Sequence, residues 1–347
     1  MVGEGYVKPI RLAMIGAGIY ARDAHAPALA QLADHFQVVA VCARSHASAD
    51  ALAARFGNEV ERCTDVAALL ARDDIEAVDI LLPIDAQAPV VAQALAAGKH
   101  VISEKPVAPD VAAAQALIAG YTPRGGQVWM VAENWRYEEA YFKAAALVQG
   151  GAVGRVLGVH FVEYVNMRPG NKYYTSAWRR GGNFQGGFLL DGGVHYVAAL
   201  RMVAGEIAAV AAHAAQLTPD LPPADTMTAT LHFASGALGA YLVCYAAGSP
   251  WAAPLTVVGE RGSLRAARGR VEVADAAGAV ETITCGFYNG VARELAAFAE
   301  AIRAGAPHRN TPEEALRDVA VVEAMLESAR TGQAVAVAAY IHAAAPR

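Results

Sequence analysis

Cysteine is scarce in this sequence, and its spacing excludes the common cysteine-based sites. The four cysteines stand at positions 42, 63, 244 and 285, and no two of them form a C-x-x-C pair. The sequence therefore indicates neither a zinc knot nor a dithiol redox centre. We expect reduced and mostly buried thiols.

Long runs of like charge and long apolar runs are also absent. Lys and Arg number 28 and Asp and Glu 33, which gives a net charge of −5 with no block of five or more like charges. Such a chain has no stretch suited to a phosphate backbone or an anionic membrane. The N-terminal segment MVGEGYVKPIRLAMIGAG carries Glu4 and Lys8 before a short apolar run, which fits neither a secretory signal nor a membrane span. We expect a cytoplasmic protein that binds neither nucleic acid nor membranes.

The pattern of the first 135 residues is typical of a parallel sheet. At 347 residues and 55% hydrophobic content, the chain can fill two cores. Short apolar stretches alternate with alanine-rich helical segments, as in βαβ units. We assign residues 1–135 to a dinucleotide-binding domain with a doubly wound parallel sheet. The predicted strands are IRLAMIG, QVVAVC, AVDILLP, HVISEKP and QVWMVAE.

The pattern changes near residue 150, where strands joined by short glycine-bearing turns favour antiparallel pairing. We assign residues 136–347 to a substrate-binding and oligomerisation domain of the α+β class with an open, mostly antiparallel sheet. Helices are predicted over 290–304 and 312–330, and these are the segments that would pack back on the first domain. Pro312 at the first helical position supports the second helix.

A glycine loop follows the first predicted strand. In AMIGAGIYA, Gly16, Gly18 and Ala21 form a G-x-G-x-x-A arrangement that also includes Ile19 and Tyr20. Gly16 would permit the tight turn, and Gly18 would let backbone amides approach a pyrophosphate at the helix N-terminus. The loop predicts a dinucleotide site; the alternative is a structural glycine turn.

The end of the second strand bears on which dinucleotide is bound. A carboxylate there usually accepts bonds from the ribose 2′-hydroxyl and repels a 2′-phosphate. This chain has no acid between Phe36 and Ser48, and Arg44 and Ser45 stand where a bond to phosphate can form. We therefore predict NADP(H), with NAD(H) as the alternative; Arg44 could instead be an ordinary solvated arginine.

Three further polar residues stand out near apolar segments. Glu104 and Lys105 follow a predicted parallel strand, at the edge where open α/β sheets bind ligands. In FLLDGGVHYVAAL, Asp191 and His195 are four residues apart, on one face if the segment is helical. Burial without partners would cost about 2–7 kcal/mol per group, so we expect both to be bonded, with substrate and Lys105 as candidates. The alternatives are a helix cap with a satisfied histidine, or a metal site, which lacks convincing further ligands.

These motifs resemble the glucose-fructose oxidoreductase, inositol dehydrogenase and MocA (Gfo/Idh/MocA) family. The segments IGAG, AGKHVISEKP and GGFLLDGGVHYVAAL occur in the family's order and spacing over nearly the whole chain. The resemblance implies a Rossmann domain followed by an α/β domain whose open mixed sheet often serves oligomer contacts. It also implies hydride transfer between the C4 atom of a nicotinamide and a carbon bearing hydroxyl or carbonyl on a sugar, inositol or related polyol.

The resemblance also implies roles for single residues. Lys105 would bind the reacting hydroxyl and the cofactor side, His195 would be the acid/base, and Asp191 would help to position substrate; the peptide before Pro106 would be cis. The chain departs from the family pattern at Gln87, where histidine often lies four residues past Pro83, and at Ala198, where an acid is common. Both departures leave the substrate open.

Other residues are expected around the same site. For the cofactor we predict contacts from Pro83, Gln87, Glu104, Asn134 and Arg136 besides the residues of the glycine loop, Arg44, Ser45 and Lys105. For the substrate we predict Tyr137, Arg168, Tyr174, Trp178 and Arg179, with Lys172 and Tyr173 in the same polar and aromatic loop, because aromatic faces pack on sugar rings and guanidinium groups bind carboxylates. The alternative is an ordinary surface loop.

The sequence thus predicts an NAD(P)-dependent oxidoreductase, with NADP(H) preferred, that acts on a small hydroxyl- or carbonyl-bearing molecule without a metal. The alternative is a non-catalytic sensor or regulator on the same fold. We expect a homodimer or homotetramer, because exposed sheet edges and apolar faces are usually covered.

Overall fold

The structure is a computed structural model that describes residues 8–182, 184–251 and 253–341. The first seven residues, on which part of the interpretation of the N-terminal segment rests, lie outside the described residues. The chain divides into two compact units. Unit 1 holds the described residues up to Glu104, Ala119–Ala132 and Val291–Pro312, and unit 2 holds Lys105–Ile118, Glu133–Gly290 and the described residues from Glu313.

Unit 1 is built on a six-stranded parallel sheet. The strand order is β3-β2-β1-β4-β5-β6, in which the order reverses between β1 and β4, as in the Rossmann fold. Parallel strands covered on both faces are mostly continuous apolar runs, and all four residues of β6 (Trp129–Ala132) are apolar and buried. This confirms the α/β class predicted for the first domain. The strands are β1 (Ile10–Ile15), β2 (Phe36–Cys42), β3 (Glu61–Cys63), β4 (Ala77–Ile80), β5 (His100–Glu104) and β6 (Trp129–Ala132).

Helices connect these strands, and several begin at the caps that the sequence supplies. The Ser45 side chain accepts a bond from the Ser48 amide, and the Asp65 side chain accepts one from the Ala68 amide. A single π turn, Ala21–His25, joins the glycine loop to α1. The helices up to residue 149 are α1 (Ala26–Gln31), α2 (His46–Ala53), α3 (Val66–Leu70), α4 (Ile84–Ala96), α5 (Val111–Ala119) and α6 (Glu139–Gln149), with a 3-10 turn at Asn134–Tyr137.

Unit 2 contains a mixed nine-stranded sheet in the order β14-β13-β12-β11-β7-β10-β9-β8-β15. Only β7 and β10 pair in parallel among these described strands, so the expected, mostly antiparallel sheet is confirmed. The alternating burial of β9, with Met227 and Leu231 buried and Thr228 and Thr230 exposed, shows that one face is covered and the other open. The strands are β7 (Val156–Tyr164), β8 (Ile207–Ala215), β9 (Thr226–Phe233), β10 (Leu238–Cys244), β11 (Ala253–Gly259), β12 (Gly262–Ala267), β13 (Arg270–Asp275), β14 (Val280–Thr284) and β15 (Val335–Ala336).

The remaining helices include both that were predicted near the C-terminus. Helix α10 (Gly290–Ala304) contributes Leu295, Phe298 and Ala299 to the buried core of unit 1. The others are α7 (Ala177–Arg180), α8 (Phe188–Asp191), α9 (Gly193–Ala204), α11 (Pro312–Thr331) and α12 (Ala338–Ile341). Among the described helices, none has the length and apolar content needed to cross a bilayer.

Candidate active site

The glycine loop has the shape that a dinucleotide requires. Gly16 has a φ of +109°, and a Cβ atom there would lie 2.3 Å from the carbonyl oxygen of Leu81, so only glycine fits. A Cβ atom on Gly18 would meet nothing within 4 Å, which leaves the backbone open at the start of the following helix. Ala21 is buried against the sheet, while Ile19 and Tyr20 are half-buried. An open backbone at a helix N-terminus fits a pyrophosphate.

Arg44 and Ser45 lie at the carboxyl end of β2, and both are exposed. The Ser45 hydroxyl caps α2 by accepting the Ser48 amide at 3.3 Å and donates to the Ser48 hydroxyl at 3.0 Å. Within the described residues, Arg44 makes no ion pair or side-chain hydrogen bond. The Arg44 guanidinium is therefore accessible to a ligand beside the capped N-terminus of α2.

The other residues predicted to contact the cofactor occupy different surroundings. Pro83 precedes α4, and Gln87 is buried in its first turns. The 3-10 turn after β6 buries Asn134 and Arg136 in unit 2, together with Tyr137, which was predicted to contact the substrate. Arg136 Nη2 lies 2.8 Å from the carboxylate of Asp318, so this guanidinium is held in a buried ion pair.

Lys105 begins the segment of unit 2 that follows β5. Its peptide bond to Pro106 is cis, as the family resemblance implies. Its Nζ atom donates to the backbone oxygen of Asp191 at 2.7 Å and to Oδ1 of the same residue at 2.9 Å. The side chain is 11% exposed, so these bonds form in a nearly water-free environment.

Asp191 is the common partner of two cations. Its Oδ2 atom accepts a bond from Arg179 Nε at 2.7 Å, while Lys105 binds Oδ1. Burial raises the pKa of Asp191, but the charges of Lys105 and Arg179 outweigh burial and hold the pKa well below its ordinary value. The residue is therefore a fixed carboxylate.

His195 is paired with a carboxylate that the sequence analysis did not single out. Its Nδ1 atom lies 2.6 Å from Oε1 of Glu133, the residue that follows β6. Burial raises the pKa of Glu133, but the charges of His195, Arg136 and Lys105 lower it below the ordinary value. An ionised carboxylate can only accept, so Nδ1 donates and Nε2 is the nitrogen available for proton exchange. The ring also stacks on Trp135, with 5.7 Å between centroids.

The segment that carries Asp191 and His195 is two helices rather than one. Helix α8 ends at Asp191, and α9 begins at Gly193. A Cβ atom at Gly192 would lie 1.8 Å from the Tyr245 hydroxyl, which explains the glycine at the break. The two side chains bind different partners: Asp191 binds Lys105 and Arg179, and His195 binds Glu133.

The loop before α8 separates the predicted substrate contacts into two sets. Arg179 lies with its guanidinium carbon 4.1 Å from the Trp178 ring centroid and 5.1 Å from that of Tyr173, so both aromatic rings support the cation that binds Asp191. Arg168 instead donates Nε and Nη2 to the carbonyl of Ala246, and the Tyr174 hydroxyl bonds to Asp220. Lys172 lies over the Tyr173 ring.

Lys105, Asp191, Arg179, His195 and Glu133 thus form two hydrogen-bonded charge groups within unit 2. Sequence reasoning missed Glu133, although a carboxylate directly after a predicted parallel strand, in AENWRY, was a usable signal. In the described part of the chain, no group of three His, Cys, Asp or Glu side chains is arranged to hold a metal ion.

Unit 1 has a Rossmann sheet with an open glycine loop, and unit 2 holds a lysine and a histidine that are each paired with a carboxylate. Together these features define a dinucleotide-dependent oxidoreductase. Residues 10–132 match the model described as the oxidoreductase family, NAD-binding Rossmann fold, and residues 145–337 match the oxidoreductase family, C-terminal alpha/beta domain. The chain belongs to this Gfo/Idh/MocA family of NAD(P)-dependent oxidoreductases, as its motifs indicated.

Similar proteins carry related names. Dehydrogenase FPY6 of Fusarium mangiferae is 33% identical over 338 residues, which cover 92% of this chain and 96% of that protein. The dTDP-3,4-didehydro-2,6-dideoxy-alpha-D-glucose 3-reductase of Streptomyces violaceoruber is 34% identical over 191 residues, or 54% of this chain and 53% of the reductase. The crystal structure of an oxidoreductase from Thermotoga maritima has a TM-score of 0.89 and 31% identity, with coverage of 96% of this chain and all (100%) of that one.

Proposed function

We propose that the protein is an NADP(H)-preferring oxidoreductase that moves hydride between the nicotinamide and a hydroxyl-bearing or carbonyl carbon of a sugar, polyol or related small molecule. The observation that carries this proposal is the pairing of Lys105 with Asp191 and of His195 with Glu133 in one unit. Lys105 directly follows β5 in the chain, and open α/β sheets bind ligands beyond the carboxyl ends of their strands.

The side chains have distinct parts in such a reaction. The nicotinamide supplies the hydride acceptor or donor when it is bound. During oxidation of an alcohol, His195 Nε2 takes the hydroxyl proton while Glu133 stabilises the imidazolium through Nδ1. The Lys105 ammonium donates to the reacting oxygen and stabilises negative charge that develops there. Asp191 and Arg179 fix the position of that ammonium.

Relatives support a sugar-like or cyclitol-like substrate. Besides the dTDP-sugar 3-reductase, the inositol 2-dehydrogenase of Gluconacetobacter diazotrophicus is 29% identical over 164 residues, which cover 47% of this chain. Both names describe chemistry at a ring carbon bearing oxygen. The aromatic rings of Trp178 and Tyr173 around Arg179 suit the apolar face of such a ring.

A substrate screen tests the reaction. NADPH absorbance is followed with a panel of ketoses, keto-inositols and simple aldehydes, and each active substrate is repeated with Lys105→Ala and His195→Ala. We expect turnover that falls by at least about a hundredfold in both variants. Tight cofactor binding without turnover on the whole panel would instead support a non-catalytic sensor on the same fold.

The preference for NADP(H) rests on Arg44. Its cation stands at the end of β2 with no competing carboxylate in the segment up to Ser48, where a 2′-phosphate would be held. Arg44→Ala should weaken NADP binding about tenfold, the loss of one exposed charged bond, and leave NAD binding unchanged. Arg124→Ala, an exposed arginine of the same unit, is the control. Tighter binding of NAD than of NADP by the unaltered protein would contradict this preference.

We further propose a homodimer or homotetramer that buries the open face of the unit 2 sheet. Leu238 and Val258 are 53% and 42% exposed and flank Gly158 on neighbouring strands, so they lie on the same face. A Cβ atom on Gly158 would meet nothing within 4 Å, which keeps that face flat. Sedimentation of Leu238→Glu and Val258→Glu should show dissociation to monomers; a monomeric parent protein would refute the assembly.

A cytoplasmic location is part of the same proposal. All four cysteines are free thiols, the state that a reducing compartment maintains. Cell fractionation of the full-length protein should recover it with cytosolic markers, and recovery from a secreted or membrane fraction would contradict the location.

A further inference from the structure

A buried charge cluster in unit 1 lies outside the site described above. The His25 ring is completely buried, and its Nδ1 atom lies 2.8 Å from Oδ2 of Asp79 in the middle of β4. On its other side, Nε2 lies 3.4 Å from Oε1 of Glu104, the last residue of β5. One imidazole therefore bridges carboxylates from two neighbouring strands.

The local backbone explains how a histidine reaches this position. His25 is the last residue of the π turn that follows the glycine loop, and the Ala26 amide donates to the Ala21 oxygen, five residues back. A π turn inserts an extra residue into a helix and is frequent at functional sites. The Tyr20 ring packs on His25 at 5.4 Å between centroids.

The charges of the cluster require the bridging imidazole. Two carboxylates in a water-free site repel each other and are costly unless they are neutralised. Burial lowers the pKa of His25, but Asp79 and Glu104 together raise it well above its ordinary value. A protonated ring carries an N–H on both nitrogens, so Nδ1 donates to Asp79 while the positive charge also faces Glu104 at ion-pair distance.

The cluster ends next to the lysine of the proposed reaction. Glu104 and Lys105 are adjacent in the chain, and Lys105 Nζ bonds to Asp191. A rigid Glu104 side chain fixes the end of β5 and hence the start of the segment that carries Lys105. Small displacements of a catalytic group are expensive in rate, because the bound geometry must match the transition state.

We propose that His25 is a positioning residue for Lys105: through its contact with Glu104 it fixes the end of β5 and supports the hydride-transfer step. This inference rests on the proposed function. It assigns His25 no contact with substrate or cofactor, and it distinguishes the two sides of the ring, because only the Nε2 side reaches Glu104.

Two conservative variants separate the sides. In His25→Asn the amide nitrogen takes the approximate place of Nδ1 and keeps the bond to Asp79, whereas in His25→Gln it takes the approximate place of Nε2 and keeps the contact with Glu104. We expect His25→Asn to lower kcat about tenfold, equivalent to one charged hydrogen bond, with unchanged KM for the substrate and unchanged NADPH affinity. His25→Gln should recover most of kcat.

Controls keep the inference testable if a histidine variant does not fold. Glu104→Gln leaves His25 in place and should reproduce the loss in kcat. Equal losses in His25→Asn and His25→Gln, or losses that follow the free energy of unfolding, would show a purely structural role and overturn the inference. Wild-type kcat in His25→Asn and in Glu104→Gln would also overturn it. If Lys105→Ala retained full turnover, the proposed function itself would fail, which is a different result.

Discussion

Replacing Glu133 by glutamine tests the least expected part of the site. The substitution preserves the size of the side chain but removes the negative charge 2.6 Å from His195 Nδ1. The glutamate side chain is 2% exposed, so water cannot restore the lost interaction. A hydrogen bond to a charged group contributes about 1.5–3 kcal/mol. If that amount stabilises the imidazolium in the transition state, kcat falls about 10- to 150-fold.

The assay is steady-state turnover with a substrate from the screen, combined with the primary isotope effect of deuterated NADPH. We expect kcat to fall while the NADPH dissociation constant stays the same, and the isotope effect to rise because the chemical step becomes slower. Glu138→Gln is the matched control, since Glu138 is also buried and pairs with Arg268 at 3.3 Å.

Wild-type kcat in Glu133→Gln, or a loss of activity in Glu138→Gln as large as that in Glu133→Gln, would contradict this prediction. The first result would show that His195 needs no carboxylate for proton exchange. The second would show that any buried charge lost from this region lowers activity through the general stability of unit 2.

Two further predictions concern stability. Gly16→Ala should lower the free energy of unfolding by more than Gly57→Ala. Both residues have positive φ, which costs alanine about 1–2 kcal/mol at either position, but only at Gly16 would the added Cβ atom also lie 2.3 Å from the Leu81 oxygen. Equal losses of unfolding free energy in urea titrations would contradict the predicted clash. The lowered pKa of Asp191 stabilises the fold above the unfolded value of about 3.9, and this contribution is lost as pH falls through the folded value. In Asp191→Asn the free energy of unfolding should therefore decrease less steeply as pH falls below about 4, whereas the exposed control Asp73→Asn should keep the wild-type pH dependence. An unchanged pH dependence in Asp191→Asn would contradict the role of the ion pairs.

Much of the fold could be predicted from local pattern. Buried parallel strands such as β6 consist of continuous apolar residues, and the helix after Thr311 begins at the proline expected for a first helical position. Strand β8 was not predicted. Its sequence IAAVAAHAA is alanine-rich and alanine has low strand propensity, so pairing with its neighbours β9 and β15 holds it extended.

The sequence predicted several residues of the site but few of their hydrogen-bond partners. Lys105, Asp191 and His195 stand in motifs with fixed spacing, so the sequence could identify them. The pairing of His195 with Glu133 spans 62 residues and depends on how the 3-10 turn Asn134–Tyr137, which directly follows Glu133, packs on α9. Arg179 looked like a group for a substrate carboxylate, but the fold directs its Nε atom to Asp191 instead. Such contacts between residues far apart in the chain follow from tertiary packing, and no periodic pattern in a single sequence indicates them.

Helix α10 has a consequence for how the chain is made. Phe298 stacks on Phe36 at 6.2 Å, and Leu295 belongs to the same buried cluster as Leu12. When the last of the first six strands has been synthesised, the residues that cover this side of them are still more than 150 positions further along the chain. The apolar surface of the nascent dinucleotide-binding sheet therefore stays exposed until α10 is synthesised. A fragment that ends at residue 135 would expose this surface permanently.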